Sequence, residues 1–346
     1  MMILQQSPLS LPAYTQTPLV LAAANAPPVA IHSRVVLAPM AGVTDIVFRG
    51  LVREQAPHSL ICTEMISSNG LVYSKAWDAN ILDKSLNDPP IAYQLAASRL
   101  EVLLEAAEGI LKKHQPTTLD LNMGCPVKKI TGNFEGCALM KDLDHAHLLL
   151  SSLVKAVNVP VTVKCRLGWD DNSKNYVAFA QMAQDAGVAM LTLHARTRAQ
   201  GYKPGVVWEA FGELKAAVNI PIIGNGDITT YDDVATVFSR YGVDGVMIGR
   251  GCQGEPWRIA LLHHFVQTGE RLPEPSMTDR LAMGYRHTEA MAAYKGERVG
   301  VREMRGQLPW YVKGFAGASR FRGALTQVNT LAEVKTLMDE IVQQHA

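Results

Sequence analysis

The stretch LDLNMGCPVKK at residues 119–129 predicts a short buried strand that continues into a loop. Within the loop, Gly124 lets the backbone approach a ligand closely, and Pro126 biases Cys125 towards an extended conformation. A thiol held at the end of a strand can serve as an acid, a nucleophile or a metal ligand. A free cysteine is also commonly a small buried side chain without a chemical role. This stretch alone leaves both interpretations open, so the ends of the other strands decide between them.

A repeating unit surrounds this stretch from Arg34 onward. Each unit has a short apolar run, a polar or glycine-containing loop and an amphipathic helical pattern. Units of this kind at roughly thirty-residue spacing predict an α/β fold, a (β/α)8 TIM barrel, with a doubly wound open sheet as the alternative. The predicted strands are Val35–Ala38, Leu60–Thr63, Ile91–Gln94, Leu119–Asn122, Val161–Lys164, Met190–His194, Ile222–Gly224 and Gly245–Ile248.

In a TIM barrel the active site lies at the carboxyl ends of the strands. Polar or glycine residues stand at nearly every predicted strand end, although the strands themselves are apolar. This regularity favours a functional site over random placement of polar residues. The residues concerned are Pro39, Met40, Ala41, Gln94, Asn122, Lys164, Arg166, His194, Asn225, Gly226, Asp227, Gly249 and Arg250.

Two glycine loops near the end of the barrel predict a phosphate site. The run IGNGD at residues 223–227 and the run IGRG at residues 248–251 each precede a helical pattern. Backbone amides at a helix start, with a guanidinium nearby, bind anions, and these loops commonly hold a phosphate in TIM barrels. The run GRGCQG at residues 249–254 also satisfies a dinucleotide fingerprint. Because no βαβ unit with a suitable acidic residue follows it, a mononucleotide phosphate fits better.

Three side chains at the predicted strand ends have both a functional and a structural interpretation. Lys164 can stabilise negative charge on a reduced cofactor or bind a phosphate; the alternative is a lysine paired with a carboxylate, and we favour function. His194 is equally compatible with a hydrogen-bonded histidine at the rim. The Gln94 amide both donates and accepts, which suits the edge of a heterocycle. Because no His, Cys and carboxylate set has ligand spacing, no metal site is predicted.

Composition limits the compartment and the kind of partner. The formal net charge is +1 over 346 residues, so any nucleic-acid surface has to be a local patch. The five cysteines form no C-x-x-C pair, and their odd total argues against a disulfide framework. These features predict a reducing, cytoplasmic compartment, and no apolar run is long enough to span a bilayer. We expect a monomer without membrane contact.

The two ends of the chain differ from the repeating middle. Residues 1–33 contain five prolines and no Lys, Arg, Asp or Glu, which predicts a flexible N-terminal tail. Residues 34–270 are the predicted barrel, and residues 271–346 are a predicted all-α domain. Its predicted helices are Arg280–Tyr294, Val299–Phe315 and Leu331–Gln344.

A basic face is predicted in the all-α domain. Arg298, Arg302 and Arg305 are spaced to share one side of a helix, and aromatic residues such as Trp310 and Tyr311 are interleaved with basic ones. A basic stripe with aromatics suits a nucleic-acid backbone. An arginine face that pairs with the barrel is an equally weighted alternative.

Seven short motifs in this order resemble one family, the tRNA-dihydrouridine synthases, and most closely its bacterial DusB branch. The resemblance runs from about Val35 through the C-terminal helices. Each motif alone is weak, but the ordered set is specific. The motifs are APMAGVTD at residues 38–45, TEM at 63–65, LNMGCP at 121–126, KCRLGW at 164–169, HART at 194–197, GNGDI at 224–228 and MIGR at 247–250.

The resemblance implies an FMN enzyme, a TIM barrel with a C-terminal helical bundle, that reduces particular uridines in tRNA. Cys125 matches the proton donor of the family, and Lys129 and Arg166 match residues that line the substrate site, to which the basic face adds Arg298, Arg302 and Arg305. The positions that match flavin contacts are Pro39, Met40, Ala41, Gln94, Asn122, Lys164, His194, Asn225, Gly226, Asp227, Gly249 and Arg250.

One departure from the branch pattern concerns tRNA docking. The branch usually has Arg-Lys-His ahead of a Trp-Tyr pair, whereas here Arg305 is followed by Gly306 and Gln307. The implied reaction is unaffected: NADPH, or NADH, reduces FMN, hydride passes to carbon six of an extruded uracil, and Cys125 protonates carbon five. Two rival functions are an FMN oxidoreductase acting on a free pyrimidine or an enone, and a non-catalytic RNA-binding protein.

Overall fold

The computed structural model describes residues 11–24, 26–75, 77, 80–83, 89–315 and 317–345. Its centre is a closed barrel of eight parallel strands, which confirms the predicted TIM barrel. Every strand predicted from the sequence is present, with bounds shifted by a few residues at most. The strands are β1 Leu19–Ala23 and β2 Ala26–Ile31, which form a separate hairpin, and then β3 Val35–Leu37, β4 Ile61–Ser67, β5 Ile91–Ala96, β6 Thr118–Met123, β7 Val161–Arg166, β8 Met190–His194, β9 Ile222–Asn225 and β10 Gly245–Ile248.

Helices cover the outside of the barrel and alternate with its strands. The strands are buried on both faces, as in parallel sheets covered by helices, and all six residues of β6 are buried. Side-chain caps fix where several helices begin: Asp45 accepts from the amides of Val47 and Phe48, and Thr230 forms a capping box with Asp233. The helices are α1 Ile46–Gln55, α2 Ser68–Tyr73, α3 Leu100–His114, α4 Lys128–Thr131, α5 Leu143–Ala156, α6 Tyr176–Asp185, α7 Glu209–Ala217, α8 Tyr231–Tyr241 and α9 Arg258–Thr268.

The N-terminal segment is ordered where the structure describes it, so the prediction of a flexible tail is wrong for residues 11–24 and 26–33. β1 and β2 pair in antiparallel fashion, and Leu19, Leu21 and Ile31 are buried in one apolar cluster with residues at the amino ends of the barrel strands. The Tyr14 hydroxyl donates to the carbonyl of Val243 at 2.8 Å. The absence of charge, which suggested disorder, instead lets these residues close the bottom of the barrel. Residues 1–10 and 25 of the predicted tail lie outside the described residues.

After α9 the described chain is helical. The segments are α10 Met277–Lys295, α11 Glu297–Met304, α12 Leu308–Tyr311, α13 Ala318–Leu325 and α14 Leu331–His345. The predicted helix Val299–Phe315 is therefore wrong as a single element: α11 ends at Met304 and α12 begins at Leu308, with Pro309, which lacks an amide hydrogen, in the first turn of α12. These helices share an apolar core that includes Leu281, Val301 and Tyr311.

Candidate active site

A cavity of about 340 Å³ opens at the carboxyl ends of the barrel strands. Part of its lining comes from the loop after β3 and part from the loops after β9 and β10. Its lining includes most of the residues that were predicted to bind flavin, namely Pro39, Met40, Lys164, His194, Asn225, Gly226, Asp227, Gly249 and Arg250. Next to this cavity, Gln94 belongs to β5, Asn122 to β6 and Cys125 to the loop after β6. Asn122 is paired in register with Lys164 of β7.

The loop that carries Cys125 is held by Asn122. The Asn122 Oδ1 accepts from the backbone amides of Gly124 at 3.1 Å and Cys125 at 2.9 Å. From the next strand, the Arg166 Nε donates to the carbonyl of Gly124 at 2.8 Å. The thiol is half-buried, and this burial raises the pKa of Cys125, against the opposing effects of the Val127 amide and the Arg166 charge. Cys125 is therefore a protonated thiol at neutral pH, in a backbone geometry fixed by its neighbours.

A buried chain of polar side chains continues from Asn122 into the barrel. The Asn122 Nδ2 donates to Gln94 Oε1 at 2.8 Å, and the Gln94 Nε2 donates to Asp120 Oδ2 at 2.7 Å. Thr162 donates to the other Asp120 oxygen at 2.6 Å. Burial raises the pKa of Asp120, and the two donors oppose that shift. Because the Asp120 oxygens accept from Thr162 and from the Gln94 Nε2, Asp120 sets the orientation of the Gln94 amide, which in turn sets that of Asn122.

The sequence did not indicate a role for Asp120. The available signal was a carboxylate in the middle of the apolar strand LDLN, where an ionisable side chain needs buried partners. The Gln94 and Asn122 amides were both predicted as flavin contacts. Gln94 uses one N–H and one lone pair in these hydrogen bonds, and Asn122 uses one N–H and both lone pairs. Each amide can still donate to a further partner, since its second N–H group is not used in these hydrogen bonds.

Lys164 and His194 supply the floor of the cavity. The Lys164 ammonium donates to Asn225 Oδ1 at 3.0 Å, and the Asn225 Nδ2 donates to the carbonyl of Met247 at 2.7 Å. Burial, with the charge of Arg166, lowers the pKa of Lys164 to about 8. Burial and the surrounding cations hold the pKa of His194 well below its usual range. The floor therefore presents one cation and one neutral imidazole at pH 7.

Asp227 and two arginines form the other end of the cavity. The fully buried Arg196 pairs with the Asp227 carboxylate, and Arg250 Nη2 lies 3.1 Å from Asp227 Oδ1. Asp227 has a φ of 50°, which is unusual for a side chain other than glycine, and the two guanidinium groups hold it there. Gly226 has a φ of +117°, and a Cβ on it would lie 3.0 Å from the His194 ring. Glycine is thus required where the backbone turns around the cavity.

These features fit a flavin mononucleotide. Near Arg250, the glycine loops have no side chains that would keep a ligand away from the backbone. A phosphate bound there could accept from backbone amides and from the guanidinium. The ring end has donors from Lys164 and apolar surface from Met40 and Ala38. The lining thus supplies cations for the phosphate, donors for the heterocycle and an apolar wall.

The family model described as "Dihydrouridine synthase (Dus)" matches residues 36–346. The chain belongs to the dihydrouridine synthase family. A relative named "Probable tRNA-dihydrouridine synthase 1" from Synechocystis sp. is 40% identical over 312 residues, covering 90% of this chain and 87% of the relative. A relative named "tRNA-dihydrouridine synthase B" from Xanthomonas axonopodis pv. citri is 39% identical, covering 88% of this chain and 91% of the relative. The family predicted from the ordered motifs is confirmed.

Solved structures with low identity share the fold of this family member. Histamine dehydrogenase from Rhizobium sp. 4-9 has a TM-score of 0.54 at 14% identity, covering 74% of this chain and 48% of that chain. An amine oxidase from Pseudomonas geniculata N1 has a TM-score of 0.56 at 12% identity, covering 81% of this chain and 53% of that chain. At such identities the likeness shows the fold alone.

Tyr202 is a further cavity residue of this dihydrouridine synthase family member that the sequence did not indicate. Its ring centroid lies 5.4 Å from the Arg166 guanidinium and 4.8 Å from that of Arg250, and 56% of the residue is exposed. It belongs to the loop after β8, where no periodicity marks a functional position. Arg196 was quoted in the HART motif without a role, although its ion pair fixes Asp227.

The residues predicted to bind substrate occupy different environments. Lys129 is exposed on α4. Arg166 is buried and donates to the carbonyls of Gly124, Thr197 and Gly201, so that it ties the loop after β6 to the loop after β8. Ala41 is exposed in the loop after β3.

The predicted arginine face is only partly formed. Arg298 and Arg302 are exposed on α11, but the helix ends before Arg305. The Arg305 guanidinium donates to the carbonyl of Val328 at 2.7 Å and to Asn329 Oδ1 at 2.6 Å. The expectation that the three arginines share one face is therefore wrong for Arg305, because it is used inside the helical region.

Two further findings concern the whole described chain. Among the described residues, no group of three or more His, Cys, Asp and Glu side chains could hold a metal ion. None of the described helices is both long enough and apolar enough to cross a membrane.

Proposed function

We propose that this chain is a flavin-dependent tRNA-dihydrouridine synthase, which reduces the 5,6 double bond of the uracil ring in specific tRNA uridines. The observation that carries the proposal is the pairing of Asn122 with Lys164 in neighbouring strands. Through this pairing, a thiol loop held by Asn122 stands beside a cavity that fits a flavin. Membership of the dihydrouridine synthase family and relatives named tRNA-dihydrouridine synthases support it.

We propose FMN as the flavin. Lys164 and His194 would face the ring, Met40 would pack along it, and Gly226, Gly249 and Arg250 would hold the phosphate. When bound, the flavin supplies the hydride that carbon six of the uracil receives, and NADPH or NADH replenishes it. The neutral His194 and the cationic Lys164 suit a ring whose charge changes during turnover.

Cys125 acts as the general acid. Negative charge that develops on the uracil needs a proton at carbon five, and a thiol with a raised pKa keeps its proton at neutral pH until the substrate takes it. The two amide hydrogen bonds to Asn122 keep the thiol loop in one geometry. The Lys164 ammonium, on the adjacent strand, stabilises negative charge in the site.

We further propose that tRNA is bound across the cavity, with Lys129 on one side and Arg298 and Arg302 of the helical region as phosphate contacts. All three side chains are exposed, which suits attraction of a polyanion. The target nucleotide has to leave its stack to reach the thiol. NADPH as the preferred reductant, a cytoplasmic site of action and a monomeric state remain predictions.

The test is turnover of two substrates by the purified holoenzyme. With NADPH and tRNA that lacks dihydrouridine, mass spectrometry of the digested tRNA should detect dihydrouridine, while free uridine should stay unreduced under the same conditions. Equal turnover of free uridine, or of a small enone, would instead support an FMN oxidoreductase of broader chemistry. A preparation that binds no flavin would contradict the proposal.

A further inference from the structure

A short part of the helical region reaches the cavity at the barrel rim. This segment, residues 307–313 and here called the clasp, contains α12 and its flanking residues. Trp310 and Lys313 line the cavity of about 340 Å³ together with Asp227, Arg250 and Gly251 of the barrel. They also line an adjoining cavity of about 520 Å³, which shares Arg250 and Gly251. The phosphate end of the cavity is thus built by both parts of the molecule.

The clasp is firmly seated on the helical core and close to the barrel. Tyr311 is fully buried, and its hydroxyl lies 3.0 Å from the Nδ1 of the buried His287. The backbone of the clasp also approaches the barrel closely: a Cβ added to Gly254, in the loop after β10, would lie 2.6 Å from the Trp310 carbonyl carbon. A side chain on the clasp can therefore hold a barrel loop in a defined position.

Gln307 makes such a contact to the loop that carries Met40. Gln307 is only 5% exposed, and its Nε2 donates to the carbonyl of Gly42 at 2.8 Å. On its other side, the amide of Gly42 donates to Glu64 Oε1 at 2.6 Å. The turn at residues 40–42 is thus fixed from the helical region and from β4 at once. Met40 lines the cavity, so the position of a flavin contact depends on Gln307.

Lys313 adds positive charge at the other end of the cavity, where Asp227 and Arg250 lie. Its ammonium lies 5.9 Å from the centroid of the Trp310 ring, and its side chain is exposed beside the Asp227 and Arg250 pair. Because Asp227 is already shared between Arg196 and Arg250, an added cation favours binding of an anion there.

We infer that the clasp is part of the flavin site: Gln307 positions the Met40 turn against the ring, and Lys313 assists the phosphate. The inference rests on the proposed flavin function. It assigns to the helical region a share in holding the cofactor, in addition to any contact with tRNA. The two residues act at different ends of the ligand, so two probes separate them.

The experiment measures the dissociation constants of FMN and of riboflavin, which lacks the phosphate, by fluorescence with flavin-stripped full-length protein. Gln307→Ala removes the donor to the Gly42 carbonyl and loosens the turn that carries Met40, so both ligands should bind about tenfold more weakly. Lys313→Met removes an exposed cation, so FMN should bind roughly two- to fivefold more weakly, with the difference fading at high salt, and riboflavin should be unaffected.

Matched variants distinguish positioning from general loss of packing. Gln307→Glu keeps the shape but lacks the amide donor and should resemble Gln307→Ala, whereas Gln307→His retains a ring N–H and should recover part of the affinity. Arg286→Ala breaks an exposed ion pair between α10 and Glu54 of α1, whose two Nη2···O distances are both 2.7 Å, at a distance from the cavity. This control should bind both flavins as the unmodified protein does.

The outcomes separate the inference from the proposed function. If the unmodified protein binds neither flavin, both fail. If it binds FMN, but Gln307→Ala and Lys313→Met bind it equally well, the clasp is not part of the site and the proposed function stands. Equal weakening by Arg286→Ala would also overturn the inference, because any loosening of the two parts would then suffice. Lys313→Met changes an exposed side chain and should fold even if Gln307→Ala does not.

Discussion

The barrel rim around Cys125 and the outer face of α11 both carry polar groups, yet they are built in opposite ways. At the rim, Asp120, Gln94 and Asn122 are buried, and hydrogen bonds link each to the next. On α11, Arg298 and Arg302 are exposed. Buried partnered groups keep one geometry, whereas exposed charges attract at a distance and are screened by salt. Changes at the rim should therefore have large effects that salt hardly alters, and changes on α11 small effects that salt removes.

The largest effect is expected at Cys125 itself. Cys125→Ala removes the proposed proton donor and should slow uridine reduction by about a hundred- to ten-thousand-fold. Reduction of the bound flavin by NADPH should survive, because that half of the reaction does not use the thiol. Stopped-flow measurement of the two half-reactions checks this. Cys62→Ala, which changes a buried cysteine near the start of β4, is the control and should leave both rates within a few-fold.

A large effect on stability is expected at Asp120. Asp120→Ala strips the acceptor from Gln94 and Thr162, and two unsatisfied buried donors should lower the free energy of unfolding by about 2–4 kcal/mol. Urea denaturation measures it. Asp279→Ala, which changes an exposed carboxylate in the capping box of α10, should lower it by about 1 kcal/mol or less. Equal losses for the two variants would show that the buried hydrogen bonds of Asp120 stabilise the fold no more than an exposed helix cap does.

A moderate effect is expected from the charge of Lys164. The pKa of Lys164 is lowered to about 8, so the ammonium is present below that pH and is lost as the pH rises through it. The rate of uridine reduction from pre-reduced enzyme should fall about fivefold between pH 8 and pH 9. Lys164→Arg keeps the charge over this range and should move the decline to higher pH. A decline at the same pH in both proteins would assign it to another group.

The smallest effect is expected on α11. Replacing Arg298 and Arg302 by Ala should weaken tRNA binding roughly two- to threefold near physiological salt and reduce the salt slope by about one unit per contact. Arg305→Ala provides the contrast: its guanidinium is bonded to Val328 and Asn329, so its loss should lower stability and leave the slope unchanged. Filter binding over a salt series measures both. An unchanged slope in the double variant would assign the two arginines to another role.

The sequence was sufficient where a local pattern and a global rule agree. The alternation of apolar runs and helical patterns located all eight barrel strands, and the rule that sites lie at carboxyl ends located Lys164, His194 and Asp227 on the cavity. These predictions succeed because the barrel repeats one supersecondary unit. Its strand ends converge whatever the details of the loops.

The sequence was insufficient where partners come from distant parts of the chain. The uncharged N-terminal segment forms a hairpin that packs against the bottom of the barrel. Gln307 donates a hydrogen bond to Gly42, more than two hundred residues away in the sequence. Tyr202 lies between two arginines of different loops. Arg305 was misassigned because helical spacing was assumed beyond Met304, where the chain turns. Such contacts follow from tertiary packing, which no local periodicity encodes.

A crystal structure of the FMN-loaded protein tests the central claim most directly, because the claim concerns geometry. The account predicts that the flavin ring lies over Lys164 and His194, that its phosphate lies between the loops at Gly226 and Gly249, and that the Cys125 thiol faces the open side of the ring across a gap that fits one flat base. A thiol that points away from the flavin, or a flavin bound elsewhere, would contradict the account.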